Sequence, residues 1–135
     1  MIGQRIFSGF PNEEAVGYAR AAVVDDWVFV SGTTGFDPET RAFPPDVETQ
    51  CENCFHNIER ALEEAGASLD ELVRVLIFVA READFEKVAP IIRKHCCAAR
   101  PTNTLVFARM VSPEMLIEIE ATAKTRARSA TDPDV

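Results

Sequence analysis

Two periods alternate along this chain. From Asp46 the apolar positions Val47, Cys51, Cys54, Phe55, Ile58, Ala61, Leu62 and Ala65 recur at i, i+4, i+7 and i+8. That spacing predicts an amphipathic helix, with Asp46 as its cap and Gly66 just past its end. Elsewhere the period shortens. Ile6-Phe7 starts an edge strand, and Phe10-Pro11-Asn12-Glu13-Glu14 reads as a turn or loop. Gly17–Val24 and Trp27–Gly32 are β-prone runs joined by Asp25-Asp26, which makes them a hairpin. Thr33–Pro45 carries Gly35, Pro38, Pro44 and Pro45 and is expected to be loop. Ser68-Leu69-Asp70-Glu71 has capping-box spacing. Leu72–Ala80, with one charge and many branched residues, reads as a central strand buried on both faces.

A second helix follows Asp84-Phe85. Pro90 lies within its pattern, so the expectation is a short turn near Asp84 and a helix that restarts with Pro90 in its first turn and runs to about Ala99. Two strands close the chain, Asn103–Val111 and Leu116–Ala123, with Ser112-Pro113-Glu114 between them. The element order is strand, strand, strand, helix, strand, helix, strand, strand. It predicts a small α+β domain over residues 1–125, with two helices covering one face of a mixed sheet. Residues 126–135 are expected to form a disordered tail. The other sheet face has nothing to cover it, and a bare apolar face of that kind points to self-association.

Composition narrows the function. The chain has 135 residues, a formal net charge of −8 and a pI near 4.7. Broad contact with a phosphate backbone needs a basic surface, so nucleic acid is not an expected partner. No apolar run is long enough to span a bilayer, and the first residues lack a signal-peptide core, so a cytoplasmic location is expected. Cys51 and Cys54 form a Cys-x-x-Cys, and Cys96 and Cys97 are adjacent. They are either a metal or redox site or small apolar residues on helices. Adjacent cysteines on a helix point about 100° apart and serve one ion poorly, so neither a metal nor another cofactor is expected. His56 and His95 read as helix residues satisfied locally.

The candidate chemistry lies near the C-terminal strands. In Arg100-Pro101-Thr102-Asn103-Thr104-Leu105-Val106-Phe107 the proline ends a helix, and Asn103 and Thr104 stand at the mouth of a strand. Leu116-Ile117-Glu118-Ile119-Glu120-Ala121 alternates apolar and acidic residues. Glu118 is either a general acid–base or, with Glu120, part of a solvated strand face. A site is expected where these two strand ends meet. Ser31-Gly32 ends a strand where backbone can bend or approach a ligand.

Several features taken together resemble the Rid (reactive intermediate deaminase, YjgF-like) family. They are Gly17-Tyr18, the Trp27–Gly32 strand ending in Ser-Gly, Gln50 and Asn57 on the first long helix, Ala65-Gly66, Asp84-Phe85, Pro101 and Ile117-Glu118-Ile119-Glu120-Ala121. The resemblance covers roughly residues 15–124. It implies a chorismate-mutase-like fold and a homotrimer with a barrel-like core and small-metabolite clefts between subunits. It also implies hydrolysis of imines or enamines. Tyr18, Ser31 and Gly32 would then contact substrate, and Glu118 would orient the attacking water. The family's substrate-carboxylate arginine falls at Asn103, and the asparagine near the second helix falls at Ala89. An uncharged side chain at Asn103 argues against ordinary 2-imino acid deamination. The alternative is a non-catalytic protein that binds or senses a small molecule in the same cleft.

Overall fold

The computed structural model describes residues 1–126. Its strands are β1 (Gln4–Ile6), β2 (Ala21–Val24), β3 (Trp27–Thr34), β4 (Leu72–Val79), β5 (Thr102–Phe107) and β6 (Ile117–Lys124). The helices are α1 (Pro11–Val16), α2 (Val47–Glu64) and α3 (Phe85–Cys96). The strands form one mixed sheet in the order β1-β2-β3-β6-β4-β5, antiparallel except for the β4–β5 pair. This is the expected α+β architecture. Of the tail expected over residues 126–135, all but Arg126 lies outside the described residues. Arg126 itself is tied down, its amide donating to Glu71 at 2.8 Å.

The core lies between the sheet and the long helices. Ile117, Ile119, Ala121 and Ala123 of β6 meet Val28 and Val30 of β3 and Val75, Ile77 and Val79 of β4, under Phe55, Ile58 and Leu62 of α2. Three amides of α2 hold backbone rather than apolar surface. Buried Gln50 donates to the carbonyls of Pro44 at 2.7 Å and Glu114 at 2.9 Å, and accepts from the Leu116 amide at 2.9 Å. Asn53 donates to the Gly35 carbonyl, and Asn57 to those of Thr34 and Phe36. At spacings of three and four they share one helix stripe, and they fix the chain as it leaves β3. A Cβ on Gly35 would fall 2.5 Å from Gln50 Cα, so only glycine lets strand and helix pass this closely.

Six expectations change. Phe10–Glu14 is not loop: Pro11 begins α1, which ends at Gly17 with φ of 88°. β2 starts only at Ala21, and Thr33-Thr34 belong to β3. Pro90 does not restart a helix; α3 runs through it from Phe85. Pro90 is exposed, so the Glu86 carbonyl that loses its donor faces water. β5 stops at Phe107 rather than Val111. Finally, β4 is buried on one face only, with Val73 41% exposed and Leu76 and Phe78 half-buried. The face away from the helices is open and carries Trp27 and Phe29.

Among the described residues no helix is long and apolar enough to cross a membrane, and no group of three or more His, Cys, Asp or Glu is placed to hold a metal. Cys51, Cys54 and Cys96 are buried, whereas Cys97 is exposed. Burial pushes the Cys51 thiol up to about 12 and that of Cys96 to about 11, far from the thiolate form that reacts. His95 stacks on Phe55 at 4.5 Å and meets Glu52 at 3.1 Å.

Candidate functional site

The main cavity opens where β1, α1, β3 and β6 converge beside α2, and its volume is about 380 Å³. That suits a metabolite-sized ligand. Its geometry begins with a register shift. Val30 pairs with Ala121, but Thr33 pairs with Ile119, so Ser31 and Gly32 together oppose Glu120. This β-bulge re-aims side chains next to the cavity. Gly32 brings its α-carbon under Glu118: a Cβ there would lie 3.0 Å from Glu118 Cδ and 3.2 Å and 3.3 Å from its oxygens.

Glu118 lines the cavity from the open face of β6. Burial pushes its carboxyl above the ordinary carboxylate range; Arg20 pulls it down and Glu120 pushes it further up. A carboxyl poised this way can exchange a proton with a water or with a leaving nitrogen.

Arg20 carried no role in the sequence reading, where it was one residue of a β-prone run. In the structure it is only 6% exposed. Its Nε donates to Glu13 at 3.1 Å, and Nη1 donates to the Gly32 carbonyl at 2.7 Å and to Thr33 Oγ1 at 3.1 Å. Its guanidinium lies 5.6 Å from the centre of the Tyr18 ring. Glu13, itself buried, also accepts from the Ser8 amide at 2.9 Å and from the Ser8 hydroxyl. Burial pushes Glu13 up, but the bonds from Ser8 and Arg20 outweigh it and hold the carboxyl below its usual range. This knot fixes the Ser8–Arg20 wall to the bulge. A charged Glu-x6-Arg spacing is a weak sequence signal, because a solvated loop would look the same.

The structure brings Tyr18, Gly32 and Glu118 into one cavity. Ser31 falls on the far side of the bulge, in a shallower hollow with Glu120 and the other side of Tyr18. Its hydroxyl already donates to the Ala19 carbonyl at 2.6 Å, so it is left to accept. Asn103 and Thr104 do not join the group within the chain. The strand ends expected to meet are separated by β4. Thr104 shares the open face with Leu76 and Glu120 through its register. Asn103 pairs with Val75, a core residue, so it lies on the helix side of the edge strand.

The sequence profile of the family described as Endoribonuclease L-PSP matches residues 11–125. A RutC family protein of Pyrococcus abyssi is 33% identical over 107 residues, covering 78% of this chain and 84% of its own length. Reactive Intermediate Deaminase A of the Arabidopsis thaliana chloroplast is also 33% identical over 107 residues, covering 78% of this chain and 57% of that protein. The crystal structure of a member of the YjgF/YER057c/UK114 family from Mycobacterium tuberculosis matches with a TM-score of 0.82 and 32% identity, over 90% of this chain and 98% of the other.

Proposed function

The chain belongs to the Endoribonuclease L-PSP family, which takes in the YjgF and Rid proteins, and from that premise we propose that it hydrolyses a C–N double bond in a small metabolite. The observation that carries this reading is Glu118, a carboxyl of raised pKa held over Gly32 in a metabolite-sized cavity. Ionised Glu118 takes a proton from a water, whose oxygen attacks the imine carbon. The proton passes to the nitrogen and gives a carbinolamine; Glu118 then carries the proton of the new hydroxyl to the same nitrogen, the C–N bond breaks, and ammonia leaves as the carbonyl forms. Arg20 opposes protonation of Glu118 and so favours the ionised form that takes this proton. Tyr18 and the Gly32 backbone shape the reacting end, and Ser31 is available as an acceptor.

The working form of this proposal is a homotrimer with clefts between its copies. Trp27, Phe29, Val73 and Val106 are exposed apolar residues for such an interface, and it would bring the β5 edge with Asn103 and Thr104 to a neighbour's cavity. No metal or cofactor enters the reaction. The net charge of −8 speaks against a nucleic-acid substrate, and free, largely buried cysteines suit a reducing cytoplasm. Because Asn103 carries no charge, the substrate is not an ordinary 2-imino acid held at that position.

A second reading is favoured by the same residue: a cleft without its carboxylate anchor can bind or sense a ligand with no turnover. Two measurements separate the readings. Freshly generated 2-iminopropanoate is offered to wild type and Asn103→Arg, with semicarbazide trapping; a slow wild type and a faster variant are expected. Glu118→Gln should then abolish turnover of any accepted substrate while binding persists. Turnover that survives Glu118→Gln removes Glu118 from the chemistry.

A further inference from the structure

We propose that the cavity takes a ligand with an apolar or aromatic body whose carboxylate is bound by Arg41 at the rim, so that the positive charge missing at Asn103 is supplied by the loop between β3 and α2. This rests on the reading of Glu118 above only for which end of the ligand reacts.

Arg41 lines the cavity from a position that does not suit it. Its φ is 58°, in the left-handed region where an L side chain is strained. The turn is closed on both sides: the Arg41 amide donates to the Asp37 carbonyl at 2.7 Å, and Asp37 bridges Ala42. Glycine or asparagine would fit this backbone better. Asp25 and Arg100 share this backbone region, but of the three only Arg41 lines the cavity, which makes it the outlier to read in terms of function.

The charges around the cavity single out the same residue. Arg20 is paired with Glu13. Arg60 donates to Asn57 Oδ1, and Glu64 follows it by one turn on the same helix. Among the described residues Arg41 makes no ion pair, and its side chain makes no hydrogen bond. Its guanidinium is therefore free to take a planar carboxylate through two parallel N–H donors.

The wall leading to Arg41 is aromatic. Phe10 meets Phe36 edge-on at 5.0 Å, and Phe36 meets Phe43 in the same way at 5.5 Å. Phe36 and Phe43 flank the turn that carries Arg41. A carboxylate fits better than a phosphate dianion, because Glu64 and Glu118 line the same cavity and repel a second negative charge.

The test is an NMR titration of the full chain with phenylpyruvate and with phenylacetone, its neutral counterpart without the carboxylate. Wild type should bind phenylpyruvate about tenfold more tightly than phenylacetone, and added salt should narrow the gap. Arg41→Gly and Arg41→Asn should each lose about tenfold for phenylpyruvate and little for phenylacetone, while Arg41→Lys keeps part of the preference. Both should melt at or above the wild-type temperature, since each relieves the turn.

Equal affinity of wild type for the two probes overturns the proposal. So does absence of phenylpyruvate binding, or its unchanged affinity in both variants. A lower melting temperature in both would give Arg41 a structural role and overturn it as well. Failure of the hydrolase reading looks different: turnover would survive Glu118→Gln while these affinities stayed as stated.

Discussion

Replacing Glu13 by alanine tests whether the cavity wall is held by one buried ion pair. α1 has six residues, too few to be stable alone, and its N-cap Phe10 offers no side-chain bond. Glu13 supplies what α1 lacks: it accepts from the Ser8 amide, the Ser8 hydroxyl and Arg20 Nε. Without it, Arg20 keeps only the Gly32 carbonyl and Thr33 Oγ1 for a charge that is 6% exposed. Breaking a buried pair on one side costs about 3–5 kcal/mol, and the reach of Arg20 into the cavity argues for the lower end, about 3 kcal/mol. For a chain of this size that lowers Tm by roughly 10 °C. Urea denaturation should show the midpoint fall with an unchanged slope. Pairing Glu13→Gln with Arg20→Met removes both charges and should recover most of the loss. The acid limb offers a further check. The Glu13 carboxyl is depressed below 4.5, so its contribution is present above that pH and lost as pH falls through the folded value. The variant's stability should therefore fall less steeply with acid. A loss under about 1 kcal/mol for Glu13→Ala, or a double variant as unstable as the sum of its parts, would refute the reasoning.

Three further outcomes follow from close contacts and from Glu118. Gly32→Ala places a methyl 3.0 Å from Glu118 Cδ and should displace that carboxylate, lowering kcat about tenfold to a hundredfold with little change in Tm. Gly35→Ala drives a methyl into the backbone of Gln50 at 2.5 Å, where nothing flexible can yield; a thermal melt should show a loss of about 3 kcal/mol or more. Glu118 is shifted upward, so the native state binds more protons than the unfolded chain between its ordinary and raised pKa values. Stability should fall as pH rises across that window, and Glu118→Gln should flatten the slope in a pH series of denaturation curves.

Much of the fold was legible because period and element agree. The stripe from Val47 to Ala65 became α2 with Asp46 as its cap, accepting from the Thr49 amide at 2.8 Å. The alternation from Ile117 became β6, with odd positions in the core and Glu118 and Glu120 opposite them. α1 was missed although its signals were present: Pro11 at the first position, Glu13 and Glu14 in the first turn, Gly17 at the end. Six residues give no period to count, and the contacts that stabilise them come from Ser8 and Arg20. Leu72–Ala80 looked buried on both faces because its open side, Arg74 apart, is apolar too. Of the candidate site residues, Tyr18, Gly32 and Glu118 share one cavity: Gly32 and Glu118 stand at strand features that can be counted, while Tyr18, between α1 and β2, came from the family resemblance. The place of Arg20 in the cavity wall was not legible, because a buried arginine and a solvated one are spelled the same way. Asn103 was placed by adjacency along the chain, and β4 intervenes in space.

The two residues that face one at the bulge also act as a change of phase. Before them the even positions Val28 and Val30 point to the core; after them the odd position Thr33 does. The hairpin and the cavity wall thus keep separate counts along one strand. Deleting either Ser31 or Gly32 would remove the extra residue and leave Val28, Val30 and Thr33 on one regular alternation, with Val30 still opposite Ala121 and Thr33 still opposite Ile119. The sheet would keep its register and its core, and what it would lose is the bend that brings the Gly32 backbone under Glu118. The residue that makes room for the cavity is thus one the fold can spare, whereas the two-residue turn at Asp25-Asp26 has none to give, since Val24 and Trp27 already pair across it.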